Sequence, residues 1–404
     1  MSISAFKNLS DSGELLIDLG VQPVSNRFLE LEMGSEAPCF PFQLRIRMDS
    51  GLIHQGNPFP VIELKPRFNW LTCFEPEDHL DDMVQTIIAL PGINQDAVFG
   101  AYSFKDDSTL RRLEKIGYTK TWRLDPVNDL GVTDTCANVE TYQDVLSVEL
   151  AVSIAGKKGL ADILIVRHVI EHSYDLPRFI DAMKALTHPN GYIVWELPDC
   201  ERAFAAGDCT TIWEEHTYYF TSYTFHELLI NAGFSFVHFE SVPYPFENSL
   251  VAIVKFDKPL QEQAVKQQAV DRQVNLARSF VTSVMLRKVM VREKLQVLKE
   301  NYGLIVLFGA GHLSVAFLSL MGVADLIDFV IDDNPNKRGM SMPIGNLRIL
   351  GSESLYSHDV RVCLLSLNPS NQPKVIEKHI QFVSQGGRFA SIFPGGDLDL
   401  INIS

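Results

Sequence analysis

The sequence predicts an α/β protein with two doubly wound, Rossmann-like sheets, the second smaller than the first, behind a small amino-terminal β-rich lobe. Three observations carry this. Apolar, strand-length runs alternate with helix-period segments from Ala97 to Phe256. The alternation restarts at GLIVLFGAGHL, from Gly303. The first ninety residues instead show short apolar runs broken by proline and glycine. Regular alternation of strand and helix builds a largely parallel sheet covered by helices on both faces.

In the lobe, assigned to residues 1–80, VQPVSNRFLE and HQGNPFPVIELKPRF read as short strands and loops. A helix runs through EPEDHLDDMVQTIIAL, where Leu80, Met83, Val84, Ile87 and Ile88 share a face at helical spacing. AVFGAY is a strand ending at Gly100. DSTLRRLEKIGY is a helix that Asp107 or Ser108 caps and Gly117 ends. KTWRLDP is a strand ending at Asp125, and ADILIVRH another. The helix DLPRFIDAMKALTHPNG, the strand GYIVWELPD and the helix TSYTFHELLINAGF follow, and FSFVHFESV and NSLVAIVKF close a domain over 81–258. Residues 259–301 lack strand and turn signals and predict one long or two successive helices linking the domains. In the last domain, 302–404, the strands are GLIVLFGAGHL, LIDFVID, VRVCLLSL and GGRFASIFP.

Composition narrows the function classes. The 404 residues are 46% hydrophobic and 21% charged, ordinary for a globular protein of two or three domains. A formal charge of −15 argues against nucleic-acid binding and against an anionic membrane surface, and leaves a small-molecule substrate as the partner. The start, MSISAFKNLSDSGELL, has no signal-peptide pattern, so a cytoplasmic monomer or homodimer is expected. Six scattered cysteines without a CxxC pair read as free thiols.

Four segments carry candidate chemistry. Gly100 and Ala101 sit in a turn after the first strand of the larger domain, and Asp125 ends the second. A glycine turn lets a nucleoside cofactor approach the backbone, and a strand-end carboxylate accepts from its ribose. Only one glycine is present, and Tyr102 or Phe104 would crowd such a ligand, so a site filled by its own side chains is the alternative. VRHVIEHSYD places Arg167, His168, Glu171 and His172 at the carboxyl edge of the sheet, where open α/β folds bind ligands. GDCTTIWEEHTYYFTSYTF sets Glu214, Glu215 and His216 among aromatic rings, the surroundings of a tuned general base. The same pattern also suits a lid whose rings only pack. In the last domain Gly309 and Gly311, with Asp332 ending the next strand, outline a possible second nucleotide site. A tight strand-to-helix turn needs glycine whether or not anything binds there.

RHVIEHSYDLPRFIDAMKALTHPNGYIVWELPD with IWEEHTYYFTSYTFHELLINAGF resembles the core of the sugar C-methyltransferases of deoxysugar biosynthesis, the NovU type. LFGAGHLSVAFLSLMGVADLIDFVIDDNPNKRG is similar to their carboxy-terminal Rossmann-like domain, and IDLGVQPVSNRFL to their opening lobe. The resemblance implies a class I methyltransferase fold, S-adenosyl-L-methionine as cofactor, and a nucleotide-linked keto-deoxysugar as substrate. The implied catalytic set is His216 as base with Glu214, Glu215 and His172. The implied cofactor residues are Gly100, Ala101, Asp125, Arg167 and His168. Two alternatives stay open: a methyltransferase-derived binding protein without catalysis, and a nicotinamide-nucleotide-binding protein using the last domain.

The chain departs from that family in three places. Where the family's lobe binds zinc through two CxxC pairs, this chain has Leu9 and Ser12, then Arg47 and Ser50, so no metal is expected. The family's paired tyrosines are Phe68 and Trp70 here, without hydroxyls. Its acidic, glycine-rich first cofactor motif is reduced to Phe99-Gly100-Ala101.

Overall fold

The computed structural model describes residues 13–30, 36–71, 75–256 and 266–403. The lobe supplies β1 (Glu14–Pro23), β2 (Cys39–Ile46) and β3 (Ile53–Gln55). The larger domain supplies β4 (Phe99–Ala101), β5 (Thr121–Arg123), β6 (Ala161–Arg167), β7 (Thr187–Asp199), β8 (Tyr218–Tyr219), β9 (Ser235–Val242) and β10 (Asn248–Lys255). The last domain supplies β11 (Leu304–Phe308), β12 (Phe329–Ile331), β13 (Ile349–Leu350), β14 (Val360–Leu365) and β15 (Arg388–Ser391).

Three sheets result. The central one runs β5-β4-β6-β7-β10-β9, parallel from β5 to β7, with β10 antiparallel to both β7 and β9. The last is all parallel, in the order β13-β12-β11-β14-β15. The lobe sheet, β1-β2-β3-β8, borrows its fourth strand from the larger domain. That loan matters for function, because β8 directly follows the Glu214–His216 segment.

Strand alternation explains why the central sheet is covered on both faces. Ile163, Ile165, Tyr192, Val194, Val251 and Ile253 lie in one core with the helix Leu80–Ile88. Their neighbours Leu164, Val166, Ile193, Trp195, Leu250 and Ala252 lie in another, with the helices Val148–Lys158, Leu176–Leu186 and Ser222–Asn231. Successive side chains of a strand point to opposite faces, so each buried strand feeds both cores. Of the predicted face of the first helix, Leu80, Met83, Val84 and Ile87 are buried, and Ile88 packs at the margin.

The stretch expected to link the domains is a single helix, Gln267–Tyr302. It is more than a spacer. Val270, Val274, Phe280, Val284, Val291, Leu295 and Leu298 are buried in one core with Phe42 and Leu44 of the lobe and Leu307 and Leu364 of the last sheet. Nine buried residues along 36 give it the stripe of a core helix. None of the described helices is long and apolar enough to cross a membrane.

Gly100 has a packing role. A Cβ built on it would lie 2.6 Å and 2.7 Å from two ring carbons of Trp122 and 3.0 Å from the Ala161 Cβ. The glycine therefore lets β5 bring an indole close against β4. Gly100→Ala is expected to destabilise the protein by about 1–3 kcal/mol, the usual cost of overpacking. Thermal unfolding reads it, and Trp122→Leu in the same chain should recover part of the loss.

Candidate active site

The site stands at the carboxyl edge of β4, β6 and β7 and begins with an ion-pair network. The Arg167 guanidinium donates to both oxygens of Glu196, at 2.5 Å and 3.2 Å, and to the carbonyls of Lys105 and Pro76. His168 follows in the left-handed backbone region, φ 51°, and its Nε2 lies 3.0 Å from Glu196 Oε1. His79 Nε2 approaches the same oxygen at 3.3 Å, and Glu75 faces His168 Nδ1 at 3.5 Å and Lys105 Nζ at 2.7 Å. Burial is the largest influence on the Glu196 carboxyl and would raise it, but Arg167, His168 and His79 together overcome it and hold the group well below the usual carboxylate range. For Glu75 burial is likewise overcome, by His168 and Lys105, which bring it to about 2.

One step outward lies a second cluster. After β6 a 3-10 turn, Ile170–His172, carries Glu171 and His172. The Glu214–His216 segment is stitched to this turn and to the lobe. Thr217 donates to the carbonyls of Glu171 and Ser173, and Gln55 of β3 donates to those of Glu214 and His216 at 2.7 Å each. The rings of His172 and His216 meet edge to face, centroids 4.8 Å apart, and Trp213 packs against both. His172 Nδ1 lies 2.6 Å from Glu140 Oε1.

The carboxylates beside His216 do not orient it. Glu214 accepts the backbone N–H of Ser25 at 2.6 Å, and Glu215 accepts the Asn26 amide at 3.2 Å. No hydrogen bond or ion pair reaches the His216 ring among the described residues. Burial, with His172 second, holds its pKa well below the usual imidazole range, which replaces the near-neutral value that a flanking carboxylate would give. Burial raises the Glu171 and Glu214 carboxyls, and burial with Glu140 raises Glu215 further.

The expected cofactor residues are dispersed over different tasks. Gly100 and Ala101 are inside the sheet, Gly100 under Trp122 and Ala101 fully buried. Arg167 and His168 are committed to Glu196. The turn after β4 is closed by Asp106, whose carboxylate accepts the N–H groups of Tyr102, Ser103 and Arg167 at 2.8 Å to 3.0 Å. Burial raises that carboxyl to about 7. Asp125 lies two residues past β5, where one oxygen accepts from Val127 and Asn128.

In the last domain the turn that holds Gly309 and Gly311 is self-contained. Asp332 accepts the Ala310 N–H at 2.8 Å, pairs with Lys337 at 3.1 Å, and accepts from Asn334 with its other oxygen. Its carboxylate braces this turn, one oxygen shared by Ala310 and Lys337 and the other accepting from Asn334. Gly309 has φ 109°, and a Cβ there would meet the Ser366 carbonyl at 3.0 Å. This turn also reaches the His216 segment: His312, next after Gly311, stacks on Trp213 with centroids 4.3 Å apart and planes 19° apart. Burial lowers the His312 pKa to about 4, so the stacked imidazole is neutral at neutral pH.

Leu9 and Ser12 fall outside the described residues. At the other two places expected to hold metal-binding cysteines, Arg47 and Ser50 both bond to Asp49, which gives a zinc ion no thiolate. Phe68 and Trp70 stack at 4.9 Å beside Phe28. Sequence reading missed Glu75, Lys105, Glu140, Glu196, Ser25, Asn26 and His312. The capping positions of Asn138 and Asp106 were readable signals, but the partners lie far away in sequence.

A methyltransferase-type α/β domain joined to a second Rossmann-like domain, with a histidine-rich site between them, defines the class. Two family models match in that order: "Methyltransferase domain" over residues 104–238 and "C-methyltransferase C-terminal domain" over 260–394. The two models follow one another along the chain without overlap. The C-methyltransferase NovU of Streptomyces niveus is 23% identical over 279 residues, which cover 67% of this chain and 66% of that protein. The match thus spans about two thirds of the relative's length. A solved S-adenosylmethionine-dependent methyltransferase of Anabaena variabilis aligns with 44% of this chain and 84% of its own, at 11% identity and a TM-score of 0.29. Phosphoethanolamine N-methyltransferase 2 of Haemonchus contortus, in complex with S-adenosyl-L-methionine, aligns over 71% and 67% at 11% identity and a TM-score of 0.27.

Proposed function

We propose that this chain is an S-adenosylmethionine-dependent C-methyltransferase acting on a nucleotide-linked keto-deoxysugar. The observation that carries the reading is His216: a buried imidazole without a hydrogen-bond partner, held neutral, at the sheet edge where a substrate would lie. A ketone acidifies the C–H beside it. The neutral His216 ring takes that proton on a free nitrogen, leaving an enolate carbon as nucleophile. Trp213 and Tyr219 pack against the ring, His312 stacks on Trp213, and the Ser25 and Asn26 contacts fix the segment's position. The cofactor, when bound, supplies an electrophilic methyl group.

The polar groups beyond the carboxyl ends of β4 and β6 suit that cofactor. Tyr102 Oη, Glu140 Oε2, Gln143 Oε1 and Ser173 Oγ are all buried without partners there. Glu140, Gln143 and Ser173 line a cavity of about 50 Å³ together with Phe179, against which Tyr102 packs. Pockets for such ligands measure about 300–1,000 Å³, so the Tyr102 ring, packed edge-on against Phe179, must turn aside. Asp125 would hold the ribose. A second cavity, about 500 Å³, lies between Arg202, Asp208 and Phe246 of the larger domain and Gln372, Ser391 and Phe393 of the last. Its size suits the nucleotide part of the substrate. The Asp106-closed turn favours the second reading, a binding protein without catalysis.

Calorimetry with S-adenosylmethionine, its demethylated product and NAD separates these readings. Binding of the first two is expected, and Asp125→Ala should weaken it about 10- to 150-fold, the loss of one hydrogen bond to a charged acceptor, roughly 1.5–3 kcal/mol. The absence of heat with millimolar cofactor would refute the methyltransferase reading.

A further inference from the structure

We propose that Glu171, His172 and His216 form a binding site for one divalent transition-metal ion of the zinc class. Each of the three offers a ligand atom, and these atoms lie within 4.8 Å of one another. Relative exposures are 2% for Glu171, 1% for His172 and 9% for His216, so any ion held there is shielded from bulk water.

Unmade bonds point to a ligand. Both Glu171 oxygens and His172 Nε2 are buried with no hydrogen-bond partner. Glu171 Oε1 stands 3.9 Å from His172 Nε2 and 3.7 Å from His168 Nδ1, too far for a hydrogen bond to either. A carboxylate left so costs several kcal/mol unless something satisfies it. On its other side His172 gives its Nδ1 proton to Glu140 at 2.6 Å. That bond fixes the tautomer and turns the Nε2 lone pair toward Glu171. A carboxylate, a histidine and a vacant ring nitrogen in line is the support that metal-ligating histidines ordinarily have.

Charge argues the same way. Glu75, Glu140, Glu171, Glu196, Glu214 and Glu215 gather in these segments, while of the nearby permanent cations Lys105 pairs with Glu75, Arg167 with Glu196 and Arg27 with Glu63. A dication offsets the remainder. Two imidazoles with one carboxylate favour zinc, cobalt or iron over magnesium or calcium. Ligand bonds of roughly 2.0–2.2 Å place tetrahedral donors about 3.3–3.5 Å apart, so side-chain shifts of about 1 Å close the set. Three protein ligands leave a fourth position open.

The inference rests on this geometry and not on the methyl-transfer reading. A His216 nitrogen that holds a metal cannot take a proton, so a loaded site is blocked for the chemistry proposed above. The test uses tag-free, full-length protein, stripped with chelator and titrated with zinc by calorimetry and with cobalt by visible absorption. One equivalent is expected, bound with micromolar or tighter affinity. His172→Ala and His216→Ala should each weaken it at least 100-fold, and Glu140→Gln about 10- to 100-fold, the usual effect of an outer partner. Thermal unfolding checks that each variant folds, and Glu171→Gln replaces any that does not. No stoichiometric uptake, or uptake that survives these substitutions, overturns the site. Cofactor titration of the metal-free protein tests the methyltransferase reading separately.

Discussion

Replacing His216 by alanine is expected to lower turnover about 100- to 10,000-fold, the contribution of a positioned general base. Cofactor affinity should stay nearly unchanged, because the ring touches His172, Trp213 and Tyr219 and not Asp125. The assay is run after chelation, so that the base and ligand roles are separated. Wash-in of solvent deuterium at the carbon beside the ketone, without methyl donor, should fall in parallel. The pH profile follows from the sign of the shift. A base must be unprotonated, and burial holds the His216 pKa well below its usual value. Turnover should therefore stay level as pH falls through the ordinary imidazole range and decline only below it. A decline centred near pH 6.5, the ordinary imidazole value, or undiminished turnover in His216→Ala, would refute the role.

Arg167→Ala is expected to cost about 3–5 kcal/mol, since it leaves a buried carboxylate without its main partner. The side chains of Arg167 and Glu196 are 1% and 0% exposed, so water cannot replace the guanidinium. His79 and His168 keep Glu196 partly neutralised, which places the loss at the lower end of that range. Urea unfolding followed by tryptophan fluorescence measures it. Arg167→Lys should recover only part, because an ammonium cannot fork onto two oxygens and the carbonyls of Lys105 and Pro76 together. A loss under about 1 kcal/mol would mean that the site relaxes enough to admit solvent.

How far the chain can be read without coordinates varies by element. ADILIVRH, GYIVWELPD and NSLVAIVKF are strands because both of their faces are buried, which leaves a continuous apolar run visible in any sequence. GLIVLFGAGHLSVAFLSL shows its strand, turn and helix for the same reason. The short edge strands β5 and β13 carry little such signal, and β13 went unforeseen. A resemblance in segment order sufficed for the domain pair.

The site was legible only as ingredients. That His216, His172 and Glu171 gather at one edge follows from local order, since each lies just past a strand of the central domain or beside the segment that β8 anchors. Their partners do not follow. Glu140 meets His172 from 32 residues away, Ser25 meets Glu214 from 189, and His312 crosses from another domain to stack on Trp213. Gly100 looked like a cofactor turn and proved to be a seat for Trp122. Asp106, just before the residues expected to cap the next helix, closes the turn that a cofactor would use. Periodicity along the chain records which face of an element is buried, because hydrophobic burial is local and non-directional. Which polar groups meet across elements depends on crossover order and side-chain direction over distances that no local pattern encodes, and in this protein that alone decides which histidine is oriented, which carboxylate is left without a hydrogen bond and which turn is closed.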